Sequence, residues 1–184
     1  MVLTNLAQVE GPNLALHLIR PDDADYEHSL RTDPAYNLCL SEARGGADDQ
    51  RRWIEGYRAR DAVLCELYCE IERKDGTRCG MVRLYDILTD SFTWGSWILD
   101  HNKMWKAALE SAVLSFGPGF EELGLSRAHT DVRIGNTHAD EFYRRLGMTE
   151  IRRDDRDIFF TYPHRQSEVD HTGYLAILEE ECAK

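Results

Sequence analysis

The sequence predicts an α/β protein with a mixed, mostly antiparallel central sheet flanked by helices. Three observations carry this. Strand patterns follow one another between residues 63 and 99 across turns too short for a crossover helix, so they pair as an antiparallel meander. The remaining strand patterns are separated by helical stretches, without the regular alternation of a doubly wound sheet. The chain has 184 residues, 42% of them hydrophobic, enough for one core that needs no disulfide or metal staple.

Each element has a local reason. Leu14 to Ile19 reads as a strand closed by Arg20 and Pro21, and Asp22 and Asp23 then suit the start of a helix running to about Leu30. Pro34, Asn37, Gly45 and Gly46 punctuate a loop, after which Asp48 and Asp49 open an amphipathic helix with Trp53, Ile54 and Tyr57 on one face. Val63 to Glu72, Cys79 to Leu88 and Phe92 to Leu99 form the meander, turned first at Lys74, Asp75 and Gly76. A helix from Met104 carries Trp105, Leu109, Ala112, Val113 and Phe116 on its apolar stripe until Gly117, Pro118 and Gly119 kink or break it. Arg127 to Val132 alternates as a strand, Thr137 to Leu146 is a helix stopped at Gly147, and Met148 to Arg153 with Ile158 to Tyr162 form a strand pair. Residues 1–165 are expected to form a single domain. Residues 166–184 read as a polar tail with a terminal helix over Tyr174 to Glu181.

Charge and cysteine usage exclude several classes. Asp and Glu outnumber Lys and Arg by 33 to 22, and the resulting charge of −11 repels the phosphates a nucleic-acid binder must neutralise. A mean hydropathy of −0.51, with no apolar run near the roughly 20 residues of a spanning helix, argues against a membrane protein. No basic flank precedes an apolar stretch near Met1, so no secretory signal is read and the cytoplasm is the default. The five cysteines, Cys39, Cys65, Cys69, Cys79 and Cys182, are an odd set without C-x-x-C spacing, as suits a reducing compartment. Cys65 and Cys69 could share one strand face, but no histidine spacing completes a zinc site, and no metal is expected.

The segment from Leu123-Gly124-Leu125 to Gly147-Met148 carries the sharpest pattern. It contains N-x-x-A-x-x-F-Y-x-x-x-G-M as Asn136, Ala139, Phe142, Tyr143, Gly147 and Met148, placed after an L-G-L helix end and a strand. In this it resembles the GNAT acyltransferase superfamily, and the order of elements agrees more loosely from Leu14 to about Tyr162. The resemblance implies a GNAT-like sheet splayed between its fourth and fifth strands, here Phe92–Leu99 and Arg127–Val132. It also implies transfer of an acetyl group from acetyl-CoA, as acyl-donor cosubstrate, to a primary amine of a small molecule or protein. A thioester needs little activation, so such a protein chiefly positions it beside a neutral amine and stabilises developing charge. Homodimerisation stays open.

By resemblance, Tyr143 matches the family tyrosine whose phenol protonates the leaving thiolate, a role that suits a group with a pKa near 10. Asn136 would either cap its helix alone or cap it and also touch the cofactor arm, and Leu99 would end the cofactor-binding strand. The family's phosphate loop reads Q/R-x-x-G-x-G/A, whereas the aligned stretch here holds Lys103, Lys106, Ala107 and Ala108, with Lys106 at the central glycine. Those lysines either face the pyrophosphate at a helix N-terminus or are solvated surface charges. No strand-four carboxylate is present, so the general base is open among Glu66, Glu70, Asp86, Asp131 and His129, with Ser96 the one polar group nearby. The Arg44–Gln50 region and the Asp86–Ser91 loop are expected to shape acceptor choice. Against catalysis stands a noncatalytic acyl-CoA-binding or sensor/interaction module on the same fold, which the altered phosphate loop and missing carboxylate would suit.

Overall fold

A computed structural model describes residues 8–37, 45–61 and 66–179. Its strands are β1 (Gln8–Glu10), β2 (Leu14–Leu18), β3 (Leu67–Arg73), β4 (Arg78–Tyr85), β5 (Ser91–Leu99), β6 (Arg127–Arg133), β7 (Thr149–Arg153) and β8 (Asp157–Pro163). Its helices are α1 (Ala24–Thr32), α2 (Ala47–Asp61), α3 (Ala107–Gly117), α4 (Thr137–Arg145) and α5 (His164–Glu179). The strands form one sheet in the order β1-β2-β3-β4-β5-β6-β8-β7. Every neighbouring pair is antiparallel except β5 and β6, which run parallel.

Both faces of the sheet are covered, and this explains why β3 is buried from Leu67 to Ile71 instead of alternating with solvent. Leu67, Cys69 and Ile71 join Phe92, Trp94, Phe116, Phe120, Tyr143 and Phe160 in the larger core. Tyr68 joins a second core with Ile54, Tyr57, Met81 and Ile98, packed with Ala24 and Leu30 of α1. The expected apolar face of α2 is the one used: Ile54 and Tyr57 are fully buried, and Trp53 stacks on Tyr57 at 5.6 Å. Such side chains each contribute about 1.5–3 kcal/mol on burial.

Along α4 and its C-cap Leu146, Ala139, Phe142, Tyr143 and Leu146 fall on one face and all enter the larger core or pack against it. The Asn136 side chain accepts from Ala139 N at 3.2 Å to cap the helix, and Gly147 ends it with a φ of 85° that a side chain resists.

Four features differ from the sequence expectations. An additional edge strand, β1, pairs with β2, so the expected fourth and fifth strands are β5 and β6. Helix α3 starts at Ala107, not Met104, because Lys106 takes a left-handed conformation with φ 63°. The chain after Gly117 continues as a π-helical turn over Pro118–Glu122, where proline withholds the backbone donor a regular turn needs. Helix α5 begins at His164, ten residues before the expected start, and docks on the domain. Tyr174 Oη donates to Leu146 O at 2.8 Å, Tyr162 Oη donates to Asp170 at 2.9 Å, and Leu178 is buried. Cys69 and Cys79 are buried, while Cys39, Cys65 and Cys182 lie outside the described residues. No helix among the described residues is long and apolar enough to cross a membrane.

Candidate active site

The parallel pairing of β5 with β6 is short: Ser91, Phe92 and Thr93 face Arg127, Ala128 and His129, and the register ends there. Beyond Thr93 the two strands diverge, which leaves backbone polar groups along Trp94–Leu99 facing a gap and not a ladder partner. A β-bulge sits on the same stretch. Arg83 pairs with Gly95 and Met81 with Ile98, so Ser96 and Trp97 oppose Val82 alone, and Ser96 takes a φ of 48°. Gly95 lets β5 pass close to Tyr85, since a Cβ there would lie 3.1 Å from the Tyr85 hydroxyl.

Two cavities meet at this bulge. One, of about 280 Å³, runs into the split and is lined by Tyr85, Trp94, Ser96, Asp131, Tyr143 and Arg31 among others. The other is a groove of about 450 Å³ on the α3/α4 side, lined by Leu99, Lys103, Ala108, His138, Phe142 and Arg145. Trp97, Asn136 and Ala139 line both. The Trp97 indole is fixed by its Nε1 donating to Ser111 Oγ at 3.2 Å and by ring contacts with Trp94 and Phe142.

The groove has the chemistry of a site for a long anionic ligand. The N-terminal ends of α3 and α4 both contribute to it through Ala108 and His138, and backbone donors at helix starts attract anions. Lys103 and Arg145 pair with no carboxylate among the described residues, while Trp97, Leu99, Ala139 and Phe142 supply apolar wall. The structure thus gathers Leu99, Lys103, Ala108 and Asn136 around one groove. It separates Lys106 and Ala107 from them. Ala107 is buried in the core, and Lys106 Nζ donates to Ile177 O at 2.6 Å, toward α5.

Tyr143 lines the split cavity and not the groove. Its ring packs edge-on against Trp94 at 5.7 Å and Phe160 at 5.7 Å. Burial pushes its phenol pKa above the usual value, opposed by a hydrogen bond with Thr130, so the phenol stays protonated. Of the carboxylates considered as bases, only Asp131 lines the same cavity, and no side chain among the described residues hydrogen-bonds it. Although its surface is exposed, desolvation by the cavity walls and the charge of Asp157 raise its pKa. Glu66 is ion-paired to Arg83, Glu70 belongs to a cluster with His17 and Arg78, and neither Asp86 nor His129 lines the cavity. Cavity-lining residues that sequence reasoning missed are Arg31, Tyr36, Arg133 and Asp157, supplied by three separate parts of the chain. Arg133 lies 3.4 Å from Asp157. Gln50 and the Asp86–Ser91 loop do not line this cavity, and Arg44 lies outside the described residues.

The mixed sheet is split at the parallel pair of β5 and β6, and a cavity and a groove with cationic lining meet at the split. The comparisons identify the class. A sequence model of the acetyltransferase (GNAT) domain matches residues 13–149. The apo structure of FdhC, a nucleotide-linked sugar GNAT, is 33% identical with a TM-score of 0.84, over 91% of this chain and 96% of that one. Two more distant structures share the fold. A mutant of the spermidine N-acetyltransferase SpeG from Vibrio cholerae is 17% identical, with TM-score 0.72 over 86% of this chain and 98% of its own. A GNAT-family acetyltransferase from Bacillus anthracis is 14% identical, with TM-score 0.70 over 86% and 99%. No curated protein matches the sequence. The chain belongs to the GNAT acetyltransferase family.

Proposed function

We propose that this protein is an N-acetyltransferase that uses acetyl-CoA as acyl donor and acts on a primary amine. The observation that carries the reading is the junction at Trp97, Asn136 and Ala139, where the anion-attracting groove and the split cavity meet. Acetyl-CoA suits the groove: Lys103, Arg145 and the starts of α3 and α4 would hold its phosphates, and the open edge of β5 would hydrogen-bond its amide-bearing arm. When bound, it supplies an activated thioester.

The protein's own groups then have defined work. The amine enters the split cavity as a neutral nucleophile once the Asp131 carboxylate, open to the cavity, has accepted its proton directly or through water. The Tyr143 phenol, kept protonated by burial, donates toward the departing sulfur. The surrounding aromatic walls exclude water and strengthen both contacts.

Among acceptors, an amine carried on a nucleotide-linked sugar is the first to test. The 33% identical relative is a nucleotide-linked sugar GNAT, and Arg31 and Arg133, ion-paired with Glu27 and Asp157, line the cavity, where their remaining N–H groups would meet a phosphate. The test is CoA release from acetyl-CoA in the presence of nucleotide-linked amino sugars, polyamines and peptide amino termini. Release with one class above the acceptor-free rate supports the enzyme. Thermal stabilisation by acetyl-CoA without release for any amine supports the noncatalytic binding module instead.

A further inference from the structure

A second polar cluster lies on β2, β3 and β4 and shares no residue with either cavity. His17 of β2 pairs in register with Glu70 of β3, and Glu72 lies two residues along the same strand and so on the same face. His17 Nε2 is 3.4 Å from Glu70 Oε1 and 3.3 Å from Glu72 Oε2, and the three ligand-capable atoms lie within 4.8 Å of one another. Charge-assisted N–H···O bonds are typically shorter, about 2.7–2.9 Å. Two ligand atoms each about 2.0–2.1 Å from a tetrahedral ion are, by contrast, about 3.3 Å apart.

The cluster also contains an unsatisfied group. The Glu70 side chain is 0% exposed, and neither of its carboxylate oxygens has a hydrogen-bond partner. Arg78 Nε lies 3.1 Å from Glu70 Oε1 as an ion pair without hydrogen-bond geometry, while its Nη2 is engaged by Asp23 at 2.9 Å. The carboxylates of Asp23 and Glu70 thus share one guanidinium, and Glu72 adds a third carboxylate beside His17, an excess of negative charge that is costly where Glu70 is buried.

We propose that His17 Nε2, Glu70 Oε1 and Glu72 Oε2 form a binding site for a divalent first-row transition metal ion, with water as the fourth ligand. One imidazole and two carboxylates suit zinc and its neighbours, and an ion of charge +2 offsets the surplus carboxylates. Arg78 then acts as the outer partner that orients Glu70 and Asp23. The ion ties β2 to β3 and takes no part in acyl transfer. Without metal, the competing arrangement is a protonated His17 bridging the two glutamates.

The test titrates chelator-treated full-length protein with Zn²⁺ by calorimetry, using Mg²⁺ as control, and examines the zinc-loaded protein by X-ray absorption. One zinc per chain is expected, held by nitrogen and oxygen at about 2.0–2.1 Å. Glu72→Gln and His17→Gln should each weaken zinc binding at least tenfold. Glu72 is one-third exposed, so its variant keeps the fold, checked by circular dichroism. Zinc binding no tighter than magnesium, binding unchanged in both variants, or sulfur in the coordination shell would each overturn the site.

Discussion

Lys106 Nζ donates to the carbonyl oxygen of Ile177 at 2.6 Å, joining the residue before α3 to the last turn of α5. The contact places a cation against the negative end of a helix, a favourable arrangement. The same residue has a φ of 63°, which costs a side chain that glycine does not have about 1 kcal/mol. Lys106→Gly should therefore change stability by less than about 1 kcal/mol, strain relief offsetting the lost contact. Lys106→Ala loses the contact and keeps the strain, so its urea midpoint should fall below that of the glycine variant. Identical midpoints for the two would show that the left-handed backbone carries no cost here.

If the groove holds the phosphates of acetyl-CoA, Lys103 and Arg145, which line it, are the cations that meet them. Replacing both with Ala should weaken acetyl-CoA binding about tenfold or more, a loss of about 1.4 kcal/mol. Affinity for an acetyl-pantetheine fragment without the diphosphate should hardly change. Equal losses for the two ligands would move the phosphates elsewhere.

Tyr143→Phe keeps the ring contacts with Trp94 and Phe160 and removes only the hydroxyl. Single-turnover acetyl transfer should slow by roughly 10²–10⁴-fold, the range for loss of a positioned proton donor, with acetyl-CoA affinity within a few-fold. Normal single-turnover chemistry in the folded variant would assign the tyrosine to packing alone.

Asp131 gives opposite signs for activity and stability. Its native pKa is raised, chiefly by desolvation and then by Asp157, so the folded state binds its proton more tightly than the unfolded chain does. Its contribution to stability is therefore largest at acid pH and is lost as pH rises through the raised value. Asp131→Asn should raise the melting temperature more at pH 7 than at pH 4. Turnover should fall, and the acid limb of the kcat/KM profile, set above the ordinary carboxylate value near 3.9, should disappear. A retained acid limb would transfer the base role to another group.

Glu110 anchors the start of β2. Its carboxylate accepts from Asn13 N at 2.7 Å, Leu14 N at 2.8 Å and Asn13 Nδ2 at 3.0 Å, and the residue is buried. Glu110→Ala leaves two backbone donors without their acceptor and should destabilise the protein by about 2–4 kcal/mol in urea unfolding. A loss below about 1 kcal/mol would mean that water replaces the carboxylate.

The local pattern of Asn136, Ala139, Phe142, Tyr143 and Gly147 determined α4 and both of its ends. The reason is that a cap, an apolar stripe and a positive-φ stop all act within one helix. The β3–β5 meander was equally legible, because short turns leave antiparallel pairing as the simplest outcome. Tertiary structure decided what depends on residues far apart in sequence. Asp131 stands out among the carboxylates only because β5 and β6 diverge beside it, bringing it into the cavity of Tyr143 while Arg83 engages Glu66 and His17 engages Glu70. The direction of the Lys106 side chain was set by α5, which folds back onto α3 from seventy residues away. His17, Glu70 and Glu72 carry no sequence signature, since the β2–β3 register alone places the imidazole opposite the carboxylates. Periodicity and caps report interactions within a few residues, whereas the split, the cavity and the charge pairing arise from which strands become neighbours.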